Sequence, residues 1–285
     1  MTNPEHAAAL ADIERAFGAH LPLAGARLAG KTALISGAGC AGEVLGTGAA
    51  MAILFAAQGC DITVFDIDRT RAAATAALIE RFGGRAQLVI GDVRSDADCA
   101  AAVTASVDRF GALDFLINNT AVARPGGIAV VTDVDWNDTI DINLSGVMRL
   151  SRAAVEPLAA AKGAIVNIAS IAGQLGFGVI AYAASKGGVI AMTRDMAVTL
   201  GARDVRVNCI APGHIATPMG GAHDLEKRAM RRKATALETE GSAWDVAWAA
   251  LFLCGPEARW ITAAILNVDA GSTARTTVNA LQGLP

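Results

Sequence analysis

The sequence predicts an α/β fold, a doubly wound parallel seven-stranded sheet in a single domain, on three observations. Seven short apolar runs recur, longer segments of helical period separate them, and a glycine-rich turn directly follows the first run. The runs cover residues 32–36, 61–65, 86–90, 113–118, 164–169, 205–210 and 263–268. Runs this short and this evenly apolar read as strands buried on both faces, which requires helices on both sides of the sheet. Each strand–helix–strand crossover is right-handed by general rule, so the strand carboxyl ends share one edge, where a ligand is expected.

The chain of 285 residues is long enough to bury a full core. Its hydrophobic fraction of 53% looks membrane-like, yet Ala and Gly supply much of it and no stretch of about 18 residues lacks a charge or a turn former, so a soluble protein with no membrane partner is expected. Net charge is only −3, and the basic residues are scattered apart from Arg228, Arg231, Arg232 and Lys233. That run reads as a solvated helix face, with no cationic footprint for nucleic acid. The five cysteines, Cys40, Cys60, Cys99, Cys209 and Cys254, show no metal-ligand spacing and read as small buried hydrophobes in a reducing cytoplasm. Glu5, Asp12 and Glu14 break the basic-then-apolar pattern of a secretory signal, so a cytoplasmic location is expected.

Residues 1–30 stand outside the alternation and read as an amino-terminal extension, with a short helix over 11–17 and Leu21-Pro22-Leu23 as a tether that adds contacts or lies free. Residues 31–285 form the single domain, with no linker or repeat to divide them. The rhythm breaks only over about 213–241, a candidate substrate lid at the carboxyl edge.

The first turn reads Ser36-Gly37-Ala38-Gly39-Cys40-Ala41-Gly42-Glu43-Val44-Leu45-Gly46-Thr47-Gly48, and a helix of small residues follows. Gly37, Gly46 and Gly48 let backbone approach a pyrophosphate, and the helix amino terminus at Thr47 supplies free N–H donors. Such a turn alone could be a flexible connection, but here strand, loop and helix come in the required order. Asp66 closes the second run, ahead of Ile67, where a carboxylate can accept both hydroxyls of an adenosine ribose. Asp66 would repel a 2′-phosphate and no Arg or Lys lies between Ser36 and Ala50, so NAD is expected over NADP. Outside that context Asp66 would be a turn residue.

Tyr182-Ala183-Ala184-Ser185-Lys186 sets the only tyrosine of the chain one helical turn from a lysine. A free phenol titrates near 10, so bringing it to about 7 takes about 4 kcal/mol, which a desolvated ammonium and an oxidised nicotinamide could jointly supply. Tyr182 is then a candidate general acid/base. Ser170 ends the fifth run at the ligand edge, where its hydroxyl can donate to a reacting oxygen or merely cap a turn.

From about Lys31 to Ser272 the chain resembles the short-chain dehydrogenase/reductase family. The motifs that carry the resemblance come in family order: the Gly37 to Gly48 loop, Asp92-Val93, Asn118-Asn119-Thr120-Ala121, Asn143 in a long helix, Ser170, Tyr182 with Lys186, and Pro212-Gly213 followed by Thr217-Pro218-Met219. The resemblance implies a Rossmann fold, with Asp92 and Val93 meeting adenine and Asn119 supporting the adenosine side. Pro212, Ile215 and Thr217 would hold the nicotinamide amide and Lys186 the nicotinamide ribose. Asn143 would hold a water linking Lys186 to solvent; read alone it is a polar helix residue with a local hydrogen bond. The resemblance further implies a homo-oligomer, tetramer or dimer, built through two long helices and the last strand, with residues 185–199 of suitable composition. The glycine loop is five residues longer between Gly37 and Gly46 than the compact family form, like a subgroup with an extended loop. Asn-Asn-Thr-Ala and Asp269-Ala270-Gly271 also depart from the usual Asn-Asn-Ala-Gly and Asp-Gly-Gly.

The substrate pocket is expected from residues 120–124, 171–180 and the stretch after Pro212. Gln174, Leu175, Phe177 and Ile180 are mostly apolar, which suits a hydrophobic or cyclic secondary alcohol. Arg124 or His214 could anchor an acidic group or stand by. Trp244, Trp248 and Trp260 read as core or interface packing. The leading expectation is an NAD-dependent alcohol dehydrogenase acting on a small molecule. The alternatives are a 3-oxoacyl-carrier reductase, which would favour NADP, and a nucleotide-sensing protein without turnover.

Overall fold

The computed structural model of the chain describes residues 3–40, 42–221 and 224–275. Seven parallel strands form one sheet in the order β3-β2-β1-β4-β5-β6-β9: β1 Thr32–Ser36, β2 Asp61–Asp66, β3 Ala86–Ile90, β4 Phe115–Asn118, β5 Ala164–Ile168, β6 Arg206–Pro212 and β9 Ile265–Val268. Every residue of β1, β4 and β5 is buried, whereas the edge strands β3 and β9 are partly open. Successive side chains point to opposite faces. Ile35 accordingly joins one core with Phe55, Trp244 and Leu251, while Leu34 joins another with Leu116, Leu150 and Val207.

Helices fill both faces. The helix α2, Thr47–Ala57, is buried from Gly48 to Ala56. A helix apolar all round must be enclosed. It packs between the sheet and α9, Ala243–Cys254. On the opposite face α4, Asp96–Phe110, packs on α6, Gly146–Ala161. The α3 helix, Arg69–Arg81, crosses from β2 to β3, and the long α7, Ile180–Gly201, leads from β5 to β6. The strand order reverses at β1, which pairs with both β2 and β4, so a crevice opens at their carboxyl ends.

Several boundaries differ from expectation. Ala263 has φ of 62°, a left-handed conformation no strand contains, so β9 starts at Ile265. The β4 strand starts at Phe115, and β6 runs on to Pro212 because Pro212 still pairs in register with Val268. Within the candidate lid, β7, Ile215–Ala216, pairs in parallel with β8, Gly241–Ser242, and α8, Leu225–Lys233, lies between them with no buried residue. Of its basic run Arg232 and Lys233 are exposed as expected, whereas Arg228 and Arg231 are half-buried and engaged by Glu240 and the Gly220 carbonyl.

The amino-terminal arm does not lie free. The α1 helix, Pro4–Ala16, starts earlier than expected because Asn3 caps it, accepting from the Glu5 N–H at 3.0 Å. Leu10, Ile13, Leu23 and Leu28 all enter the α2–α9 side of the core. The Trp244 indole donates to the Phe17 carbonyl at 2.9 Å, and the Gln58 amide donates to Leu23 at 2.7 Å. The arm is thus an added layer of the one domain. Trp248 is half-buried and Trp260 is 90% exposed, so only Trp244 is wholly core. All five cysteines are free and buried. Among the described residues no helix is long and apolar enough to cross a membrane.

Candidate active site

At the β1 end the chain turns tightly through Gly37, whose φ is 62°. A Cβ on Gly48 would lie 2.2 Å from the Gly37 carbonyl oxygen, so this pair of glycines permits the close approach of α2 to the turn. Gly46 caps α2 without a side-chain hydrogen bond, leaving the first helical amides as a donor set for an anion. Asn119 braces the cradle, since its Nδ2 donates to Gly37 at 2.9 Å and its Oδ1 accepts from Thr47 Oγ1 at 2.7 Å. Val93 is buried against Gly146, where a Cβ would come within 2.9 Å of it.

The extended loop is pinned to α3. The Cys40 N–H donates to the Arg71 carbonyl at 3.0 Å and Thr75 Oγ1 donates to Ala38 at 2.7 Å. Ala41 lies outside the described residues. Asp66 joins in, accepting from the Gly39 N–H at 2.8 Å and the Asp68 N–H at 3.0 Å. A carboxylate offers about four acceptor directions, so about two remain for other donors. Ile67 beside it is exposed. Sequence reading missed Arg71, which stands over Gly39 and pairs with Asp68 at 3.2 Å. It missed Arg94 too, whose guanidinium holds the Asp92 carboxyl below the usual range.

Ser170 follows β5 and does two things at once. Its hydroxyl accepts from the Ala172 N–H at 3.1 Å, capping a short 3-10 turn, Ile171–Gly173, and it also acts on the Tyr182 phenol, favouring the ionised form. Lys186, one turn further along α7, is only 2% exposed. Its Nζ donates to the Ile168 carbonyl at 2.7 Å and lies 5.7 Å from the centre of the Tyr182 ring. Burial pulls the Lys186 ammonium down to about 8. Burial also raises the Tyr182 phenol above its ordinary value, with the Ser170 hydrogen bond acting in the opposite direction. The phenol and the ammonium thus stand one helical turn apart, with the ammonium held in place by the Ile168 carbonyl.

Asn143 does not sit in regular α-helix. Between α5, Asp133–Ile140, and α6 the backbone widens into a π-helical segment, Asp141–Ser145, a feature often found at functional sites. The Asn143 amide is fully buried and exchanges two 2.8 Å hydrogen bonds with the Val122 backbone. Its Nδ2 also reaches Ser185 Oγ at 3.1 Å. The residue thus ties the loop after β4 to α7, the helix that carries Tyr182.

Across the crevice Pro212 ends β6, Ile215 is buried in β7, and Thr217 accepts from the Gly220 N–H at 3.1 Å. Arg124 is no free anchor, since it pairs with Asp138 at 2.8 Å. His214 packs its ring against Phe177, and burial followed by the nearby Arg231 charge lowers its pKa.

A family profile described as Enoyl-(Acyl carrier protein) reductase matches residues 41–273. The chain is 37% identical over 260 residues to trans-4-hydroxycyclohexanecarboxylate dehydrogenase of Sinomonas cyclohexanicum, covering 87% of this chain and 95% of that protein. A crystal structure of a short-chain dehydrogenase/reductase from Burkholderia xenovorans superposes with a TM-score of 0.83 at 37% identity, covering 88% of this chain and 99% of the other. Carveol dehydrogenase from Mycobacterium avium, solved in complex with NAD, superposes with a TM-score of 0.82 at 30% identity, over 88% of this chain and 100% of that one.

Proposed function

We propose, from the premise that the chain belongs to the short-chain dehydrogenase/reductase family, that it is an NAD-dependent enzyme interconverting a hydrophobic or cyclic secondary alcohol and its ketone. The observation that carries the reading is the convergence at one sheet edge of Ser170, which follows β5, with Tyr182 and a buried Lys186 one turn apart on α7, the lysine Nζ tied to Ile168 and 5.7 Å from the centre of the Tyr182 ring. Phenol, hydroxyl and ammonium together suit proton transfer at a carbinol oxygen.

The residues present fit a dinucleotide. The Gly37, Gly46, Thr47 and Gly48 turn would take the pyrophosphate, Asp66 with Ile67 the adenosine ribose, and Asp92 and Val93 the adenine. Asn119 would support the adenosine side by bracing the turn. Pro212, Ile215 and Thr217 would hold the nicotinamide amide, and Tyr182 and Lys186 its ribose. NAD, when bound, supplies the hydride acceptor.

Tyr182 takes the alcohol proton and returns it in the reverse direction. Burial raises its pKa, and the Lys186 ammonium one turn away, together with an oxidised cofactor when bound, would favour the base form. Ser170 donates to the substrate oxygen and aligns the phenol. A water relay through Asn143 would use its backbone carbonyl, as the side-chain amide is engaged.

NAD rather than NADP is supported by Asp66, while Arg71 is engaged by Asp68. Two relatives bear on the substrate, since the named substrates of trans-4-hydroxycyclohexanecarboxylate dehydrogenase and carveol dehydrogenase are ring alcohols. Assembly as a homo-oligomer is supported by the exposed Val198 on α7 and by β9, an open sheet edge that a second copy would cover. Residues 213–241 serve as the substrate lid, and the protein acts in the cytoplasm.

The reading is tested by fluorescence-monitored binding of NADH and NADPH, and by NADH production from secondary alcohols in wild type and Tyr182→Phe. Tighter NADH binding, with turnover lost and binding kept in the variant, is expected. A preference for NADPH overturns the cofactor choice, and wild-type turnover in the variant overturns the mechanism.

A further inference from the structure

His214 is engaged by an aromatic neighbour. Its ring meets Phe177 edge to face, with centroids 6.0 Å apart and planes at 69°. Phe177 belongs to the loop that leaves β5 after Ser170 and returns at α7; His214 belongs to the loop that leaves β6 after Pro212. β5 and β6 are neighbours in the sheet, so the ring pair bridges the two loops on the same edge as Ser170 and Tyr182.

Charged groups of the candidate lid lie near the pair. Arg231, the cation that acts on His214, donates to the Gly220 carbonyl, and Arg228 pairs with Glu240 at 2.6 Å. Burial and the Arg231 charge lower the imidazole pKa, with Glu240 and Asp269 acting in the opposite direction. Phe177 and Leu175, both in the loop after β5, each remain 41% exposed, leaving apolar surface uncovered.

We propose that Phe177 and His214 determine substrate choice, forming an aromatic wall across the cleft mouth against which a ring bearing the reacting carbinol packs. The proposal rests on the dehydrogenase reading above and names the residues that select within it. An edge-to-face pair leaves ring surface for a third apolar ring. A rigid ring loses no internal rotation on meeting a flat wall, whereas an open chain of equal carbon number does, so the wall favours ring alcohols.

The test compares kcat/KM for cyclohexanol and 2-hexanol, with NAD, in wild type, Phe177→Ala, Phe177→Tyr and His214→Ala, each shown to be folded by its thermal midpoint. Wild type is expected to prefer the ring. Phe177→Ala lowers the ring-to-chain ratio by about two- to ten-fold, mainly through KM, and Phe177→Tyr restores it. His214→Ala lowers it in the same direction. Turnover of both alcohols with a ratio unmoved in Phe177→Ala and His214→Ala overturns the wall and leaves the dehydrogenase reading standing. A wild type that prefers 2-hexanol does the same. Turnover of neither alcohol, with no NADH formed from any ring or open-chain secondary alcohol, overturns both.

Discussion

Lys186 Nζ donates a 2.7 Å hydrogen bond to the carbonyl oxygen of Ile168, the last residue of β5. The bond fastens α7 to the strand that ends in Ser170, and it holds a charge in the core. Burial lowers the Lys186 pKa from 10.5 to about 8, a shift equivalent to about 3 kcal/mol against the folded state at neutral pH. The unfolded chain binds more protons between those two values, so this group makes the protein more stable as pH rises from about 8 to about 10.5. Urea unfolding of wild type and Lys186→Met at pH 7 and pH 10 is expected to show the variant gaining relative stability at pH 7, with the advantage shrinking at pH 10. Turnover is lost at both. An equal difference at both pH values would mean that the lysine keeps its ordinary pKa in the folded core.

Asp66 braces the glycine loop, accepting from Gly39 and Asp68, and is the residue proposed to meet the adenosine ribose. Asp66→Asn keeps an acceptor for Gly39 and removes the charge. NADH affinity is expected to fall about ten-fold, the scale of a charge-assisted hydrogen bond, and discrimination against NADPH to narrow. Fluorescence titration with both cofactors measures this. An unchanged ratio of the two affinities would confine Asp66 to bracing Gly39 and Asp68.

Gly48→Ala places a methyl group 2.2 Å from the Gly37 carbonyl oxygen and 2.6 Å from Asn119 Nδ2. Backbone must shift, at about 1–3 kcal/mol of stability. NADH binding is expected to weaken by more than about ten-fold, because the cradle opens while Tyr182 and Ser170 stay in place. A variant with wild-type melting and NADH affinity would show that the turn is looser than the geometry allows.

Ile13 is fully buried on α1, although it belongs to an arm outside the strand–helix alternation. Ile13→Ala is expected to lower unfolding free energy by about 2–4 kcal/mol, as for any enclosed aliphatic side chain. Val198→Ala, on the exposed face of α7, moves it by less than about 0.5 kcal/mol in the monomer. Denaturant unfolding of both variants distinguishes an arm that shares the core from one that docks loosely, for which the Ile13→Ala loss would stay below about 1 kcal/mol.

The strand positions were legible because a strand enclosed on both faces leaves an unbroken apolar run, and the helices because their period differs. Their ends were less so. Ala263 is apolar like its neighbours, and nothing in its identity announces a left-handed φ of 62°. Ser170 and Tyr182 were legible by a similar local logic, one closing an apolar run at the ligand edge and the other standing a helical turn from Lys186. The partners that set their behaviour were not. The Ile168 carbonyl that holds Lys186 and the Val122 backbone that holds Asn143 are main-chain groups, which every residue carries.

Arg124 and His214 looked alike in sequence, each a lone basic residue in a loop. Asp138 neutralises the first and Phe177 covers the second, across separations that no local pattern encodes. The amino-terminal arm teaches the same thing, since Leu10, Ile13 and Leu23 are too few to show a period that demands a core. By itself the sequence determined the parallel sheet, its ligand edge and the residue types available for proton transfer and dinucleotide contact, because these follow from periodicity and from short spacings along one element. Only the tertiary structure decided which charges are engaged, that a main-chain carbonyl of β5 holds the lysine, and that the arm belongs to the core. Those outcomes depend on burial and on hydrogen bonds between groups far apart in the chain, and both exist only once the sheet has closed around them.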